Sequence, residues 1–186
     1  KRVKANRGWV HEDQPVPFYL MIDFKSEAET TYAALKKVLE AYRSMLTEFT
    51  PDKTKHGPVT VVISGNRPLT TIQSEASRLA GIDGRLTDLE GSLNPHLMPW
   101  VSEKWGRPFK WLGEGPLSDS ESEKLKQIVA RARKAGVKLR FWAIPDHQAG
   151  WQVMHDAGVD LINTDDLPGL QAFLLQTETT AGPKAP

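Results

Sequence analysis

Asp23 and Lys25 stand two residues apart at the end of the run Phe18–Lys25, FYLMIDFK. The residues before Asp23 are uncharged and mostly large or branched, with Pro17 opening the run and Ser26 closing it. Such a run reads as a strand buried on both faces. At period two, Asp23 and Lys25 project to the same side, at the strand's C-terminal end. A carboxylate and an ammonium at the exit of a parallel strand can hold a metal ion and a phosphate between them. The competing reading is a salt bridge that fixes sheet register.

The remaining elements must position that pair. Ser26-Glu27-Ala28-Glu29 reads as a capping box, with the Ser26 hydroxyl taking the amide of Glu29. Apolar residues then recur at helical spacing from Tyr32 to Phe49, which predicts five or six turns ending near Pro51. Val59–Ser64 is a second buried strand, followed by a short helix near Thr71–Leu79 and a third strand at Ile82–Leu86. Residues 90–117 carry Trp100, Trp105 and Trp111 among prolines and glycines. They read as a long ordered loop with a turn or two of helix near Val101–Trp105. A second capping box, Ser118 to Glu121, opens a helix with Leu125, Ile128, Val129, Ala132 and Ala135 on one face and Gly136 as its stop. Val137–Ile144 and Asp160–Thr164 complete five strands. A short helix around Trp151 stops at Gly158 between them, and a last helix carries Leu170, Phe173 and Leu174. Residues 1–17 are an irregular lead-in and 176–186 a polar, flexible tail.

Alternating strands and helices predict a parallel sheet, doubly wound or closed into a barrel. No Gly-rich phosphate-binding loop follows any strand, which argues against dinucleotide and P-loop folds. Polar residues decorate the strand ends instead: Asp23 and Lys25, Ser64 and Asn66, Asp83 and Arg85, Trp142 and Asp146, Thr164 and Asp165. A barrel enzyme keeps its site on such a ring. The 186 residues suit one domain, and a net charge of +1 gives no electrostatic case for nucleic acid or an anionic membrane. There is no cysteine, so thiolate chemistry is excluded and the compartment stays open, secreted or periplasmic included. No apolar stretch reaches the about 18–20 residues of a transmembrane segment, so a soluble protein is expected. The start Lys-Arg-Val-Lys, without methionine or signal peptide, reads as part of a longer chain.

Five segments in order carry a resemblance: the strand-end Asp-Phe-Lys, VVISGNRP, IDGRLTDL, LRFWAIPD and above all GVDLINTDDL from Gly158 to Leu167. From Phe18 to Leu174 the chain resembles the glycerophosphodiester phosphodiesterase and phosphatidylinositol-specific phospholipase C-like superfamily, in its altered-inheritance-of-mitochondria-like branch. That resemblance implies a (βα)8 barrel that hydrolyses a glycerophosphodiester or a lipid-derived phosphodiester with Mg²⁺ or Ca²⁺, using two histidines as acid and base. It places Asp23 as a metal ligand, Lys25 as the catalytic lysine that steadies the phosphate, and Trp142 as an aromatic wall of the pocket. The family's early histidines and Glu-x-Asp strand have no counterpart here. The chain would therefore be strands four to eight, at residues 18–175, partnered by the N-terminal remainder of the same barrel and inactive alone.

Each assignment has a structural competitor. One carboxylate alone holds a hard cation poorly, so Asp23 needs further ligands. Lys25 would neutralise charge on the phosphoryl oxygens, or simply pair with Asp23. Arg85 could face the anion or pair with Asp83, Asp88 or Asp160. Asp165 could bind substrate at the barrel mouth, yet its position before Asp166-Leu167-Pro168 is that of a helix N-cap. The five histidines lie on loops and a helix with no metal-ligand spacing; His147, beside Asp146, is the one near a strand end. Two other functions compete: a non-catalytic barrel kept for ligand or partner binding, and a Schiff-base aldolase using Lys25. Asp23 opposes the second by keeping that lysine protonated.

Overall fold

The computed structural model describes residues 1–12 and 16–181, with side chains of the last helix as far as Thr177. The fold is α/β, and the residues group into two compact units where the length suggests one domain. The first comprises Lys1–Gly84 and Gly91–Trp100; the second comprises Arg85–Glu90 and the chain from Val101 onward.

In the first unit a single turn of helix, α1 (Arg2–Ala5), precedes β1 (Phe18–Phe24). After β1 come α2 (Ala28–Glu40), the short antiparallel pair β2 (Glu48–Phe49) and β3 (Thr54–Lys55), then β4 (Val59–Gly65), α3 (Leu69–Ser74) and β5 (Ala80–Gly84). Strands β1, β4 and β5 are hydrogen-bonded in that order and run parallel. The side facing the helices is apolar: Phe24, Val61, Ile63 and Ile82 meet Tyr32, Leu39 and Ile72. At about 25 cal/mol per Å² this burial is the main favourable term for the unit.

β1 is not buried on both faces. It stands first in the strand order with β4 on one side only. Phe18, Leu20 and Met21 stay 41%, 42% and 38% exposed, and only Phe24 is buried. An edge strand with this much apolar surface is a template for further polypeptide.

Helix α2 is also shorter than the apolar spacing suggests. Its face does continue into Met45, Leu46 and Phe49, but those residues serve the sheet. Leu46 bridges to Val59, Phe49 pairs with Arg78, and buried Thr47 bonds Thr60 at 2.7 Å. The cap differs too. Glu27 takes the amides of Glu29 and Thr30 at 2.9 and 2.8 Å, while the Ser26 hydroxyl pairs with Thr31. Glutamate here reaches two orphan amides at once, which one hydroxyl cannot do.

The second unit contains β6 (Trp100–Lys104, from Val101), α4 (Asp119–Lys134), β7 (Lys138–Trp142), α5 (Gln148–Ala157), β8 (Leu161–Ile162) and α6 (Leu167–Ala181). β7 and β8 pair in parallel, Arg140 opposite Leu161. β6 lies within the stretch read as a loop. Its buried residues, Trp100, Val101, Ser102 and Glu103, include two polar ones, so no apolar run marks it. Trp105 packs on Phe109 at 4.1 Å between ring centroids and meets Phe141 edge-on at 5.5 Å. The Trp105 amide also donates to the Trp142 carbonyl at 2.9 Å.

Helix α4 follows its pattern. Ser118 accepts from the Glu121 amide at 3.3 Å, and Leu125, Ile128, Val129 and Ala132 are buried. Gly158, at φ +77°, ends α5 in the left-handed conformation that glycine adopts without cost. α6 continues to Ala181, beyond Gln176 where the apolar spacing stops; residues 182–186 lie outside the described residues. No helix among the described residues is long and apolar enough to cross a membrane.

Candidate functional site

Asp23 and Lys25 do meet at the C-terminal end of β1. Lys25 Nζ lies 2.7 Å from Asp23 Oδ2, with the lysine side chain 83% and the aspartate 41% exposed. Two contacts fix the aspartate's surroundings. The Asn66 amide donates to the Phe24 carbonyl at 2.9 Å, and Asn66 Nδ2 donates to the Ser26 carbonyl at 2.8 Å. Gly65, at φ +72°, lets the chain pass directly under the carboxylate. A Cβ there would come within 2.3 Å of Asp23 Oδ1 and 2.2 Å of the Phe24 carbonyl. The pair is therefore held at its base and open to solvent at its tip.

Beside it lies a buried polar cluster. The Asp83 carboxylate is 1% exposed and accepts from Ser64 Oγ at 2.5 Å and from Trp100 Nε1 at 2.8 Å. Arg67 donates to the Asp83 carbonyl at 2.6 Å. Ser64 and Asp83 are visible in the sequence as polar strand ends. Their union through Trp100 is not, because that tryptophan lies in the stretch read as a loop.

The other expected site residues belong to the second unit. Arg85 is not on a strand: β5 ends at Gly84, and the Arg85 amide donates to Asp88 Oδ2 at 2.7 Å, opening a 3₁₀ turn at Leu86–Glu90. The strand instead begins at Ala80 and Gly81, small residues whose position against Pro99 leaves no room for a Cβ at Gly81. Trp142 ends β7 and is 39% exposed, with Lys104 Nζ 5.8 Å from its ring centroid. The next residue, Ala143, has φ +50°, a strained conformation of the kind that collects at functional sites. Asp165 is exposed after β8. It is not the helix cap, since Asp166 Oδ1 takes the Gly169 amide at 3.0 Å and so caps α6. That leaves the Asp165 carboxylate available to a ligand.

Asp146, in the turn between β7 and α5, holds this corner together. It accepts from the Asp165 amide at 2.7 Å and from Trp151 Nε1 at 2.9 Å. Desolvation pushes its carboxyl up, but the Asp165 amide, the Thr164 hydroxyl and the Trp151 ring together outweigh it and hold it below the usual carboxylate range. A depressed carboxyl stabilises the fold above its ordinary pKa, and that contribution is lost as pH falls through the folded value. Asp146→Asn should therefore lower Tm near neutral pH, with the gap to wild type closing below about pH 4. A gap that stays constant across a thermal-melt series from neutral to acid pH would remove this role. His147 caps the backbone of α5, and its ring lies against Gly113, where a Cβ would meet Nε2 at 2.4 Å.

Among the described residues, no group of three or more His, Asp or Glu could hold a metal ion. The open Asp23 carboxylate has the hard oxygen that Mg²⁺ and Ca²⁺ prefer, so it fits such an ion as one member of a ligand set.

Two family profiles match the chain. One, described as an AIM6-like phosphodiesterase domain, covers residues 1–80, and the other, the glycerophosphoryl diester phosphodiesterase family, covers residues 138–168. Among curated proteins, the Altered inheritance of mitochondria protein 6 homolog of Arthroderma benhamiae is 28% identical over 83% of this chain and 52% of its own length. The Kluyveromyces lactis protein named Altered inheritance of mitochondria protein 6 is 26% identical over 89% of this chain and 50% of its own. Its Saccharomyces cerevisiae namesake is 26% identical over 80% and 46%. The chain thus spans about half the length of the curated relatives it matches. No solved structure matches it significantly. The two matched segments contain Asp23 with Lys25 and Trp142 with Asp165, and in them the chain is similar to the altered-inheritance-of-mitochondria-like branch of the glycerophosphodiester phosphodiesterase and phospholipase C-like superfamily.

Proposed function

We propose that the protein hydrolyses a phosphodiester, of glycerophosphodiester or lipid head-group type, with Mg²⁺ or Ca²⁺ held in part by Asp23. The observation that carries this reading is the Asp23–Lys25 pair, anchored at its base and exposed at its tip, inside the segment matched by a phosphodiesterase-domain profile. Lys25 is free to leave Asp23 and meet charge building on the phosphoryl oxygens. A divalent ion at Asp23 would polarise those oxygens. In the second unit, Trp142, Arg85 and Asp165 are proposed as substrate-binding residues, the first as an apolar wall and the second through its guanidinium.

General acid-base cleavage also needs one group to take a proton and one to give it. Histidine suits both tasks near neutral pH. In the first unit His96 is tied to Thr54 at 2.8 Å, and His11 and His56 lie in irregular segments, none on a strand beside Asp23. Both protons therefore fall to histidines elsewhere in a (βα)8 barrel of the phospholipase C-like type, whose remaining strands add to the open edge of β1. The relatives' greater length leaves room for those strands.

The test is a chromogenic phosphodiester assayed with Mg²⁺ or Ca²⁺, comparing this 186-residue chain with the full-length natural protein. Turnover is expected from the full-length protein and none from the isolated chain. Turnover by the isolated chain would overturn the assignment of the acid and base.

A further inference from the structure

The parallel register of the first unit aligns more than Asp23 with Lys25. Asp23 stands opposite Ser64, and Ile63 stands opposite Ile82. One further step along β4 and β5 sets Ser64 beside Asp83. Residues in register point to the same face, so Asp23, Ser64 and Asp83 form one polar row across three neighbouring strands at their C-terminal ends. The row behind it, Met21, Val62 and Gly81, is apolar. Gly65 brings the Asp23 carboxylate against the backbone immediately after Ser64.

Within the row the protons are already allotted. Ser64 Oγ donates to Asp83 Oδ2 at 2.5 Å, the length of a charge-assisted bond to a carboxylate. Asp83 is buried, and its other oxygen is held by the Trp100 indole. The Ser64 hydrogen is thus turned away from Asp23, and the serine oxygen presents only lone pairs on that side. Asp23 is an acceptor as well. Two acceptors standing side by side on neighbouring strands suit a divalent cation, which takes hard oxygen ligands.

We infer that Asp83 is a positioning residue, which holds the Ser64 oxygen beside Asp23 as a second, neutral ligand for the divalent cation. The inference rests on the reading of Asp23 as a metal ligand. Asp83 itself does not reach the ion; it acts through Ser64. An outer partner of this kind changes metal affinity by about 10–100-fold when removed.

The experiment is calorimetric titration of Mg²⁺ or Ca²⁺ into the full-length protein and its variants, with the Trp100 indole N–H resonance followed alongside. Ser64→Ala should weaken cation binding about tenfold, and Ser64→Thr, which keeps the hydroxyl, should restore it. Asp83→Asn should weaken binding by a similar factor, because its amide can donate to the serine and occupy the lone pair. The double variant should bind no worse than either single one. Cation binding should shift the Trp100 resonance in wild type and leave it still in Ser64→Ala. Unchanged affinity in Ser64→Ala overturns the inference, as does a double variant whose losses multiply. Wild type that binds no divalent cation overturns the Asp23 assignment and this one together, an outcome distinct from either of the first two. Should Asp83→Asn fail to fold, the serine pair alone decides, since Ser64→Ala removes one small oxygen and leaves Trp100 its partner.

Discussion

Lys25→Met is expected to lower kcat of the full-length protein by about 10²–10³-fold, while the affinity for Mg²⁺ or Ca²⁺ stays nearly the same. An ammonium that meets charge developing on the phosphoryl oxygens contributes in the transition state and little before it. At rest Lys25 pairs with Asp23 at 2.7 Å and is 83% exposed, so moving it costs little. Methionine keeps much of the stem and removes only the charge. Steady-state kinetics paired with calorimetry would show the split. Equal losses in kcat and in metal affinity would mean that Lys25 merely steadies Asp23.

Asp23→Asn is expected to abolish both divalent-ion binding and turnover, leaving Tm in the absence of metal almost unmoved. The carboxylate is the charged ligand of the proposed set, and asparagine has its shape without its charge. The ion pair it would break is exposed, and such pairs contribute at most about 1 kcal/mol. Stability and function should therefore separate cleanly. A variant that unfolds, together with a wild type that shows no heat of metal binding, would make the pair a structural salt bridge.

Polar strand ends are legible in the sequence because they announce themselves. Asp23, Ser64, Asp83 and Trp142 each close an apolar or β-branched run, and each lies at a strand's C-terminal end or one residue from it. Periodicity also finds the buried face of α4, and Gly158 marks the end of α5, since both features depend on the local chain alone. What fails is whatever tertiary context decides. The apolar spacing from Met45 to Phe49 is helical, yet pairing with Val59 and Arg78 draws those residues into the sheet. Arg85 alternates like a strand residue, yet the Asp88 side chain takes its amide and turns the chain.

Two misreadings have a common cause. Strand β6 carries Ser102 and Glu103 inside, and β1 carries Phe18 and Leu20 outside, so composition points the wrong way at both. Polar residues are buried on β6, and apolar residues are left open on an edge that has no neighbour among the described residues. The Trp100–Asp83–Ser64 cluster was hidden for the first of these reasons, because its tryptophan belongs to the strand that composition conceals.

The most direct test of the account is turnover of a chromogenic phosphodiester by the full-length protein as Mg²⁺ or Ca²⁺ is titrated in and then removed with chelator. Asp23 as a ligand and Lys25 as the group that meets phosphoryl charge together predict turnover that rises with the ion, saturates, and is lost on chelation. Turnover indifferent to both ions and to chelator, or none at any concentration, would contradict it.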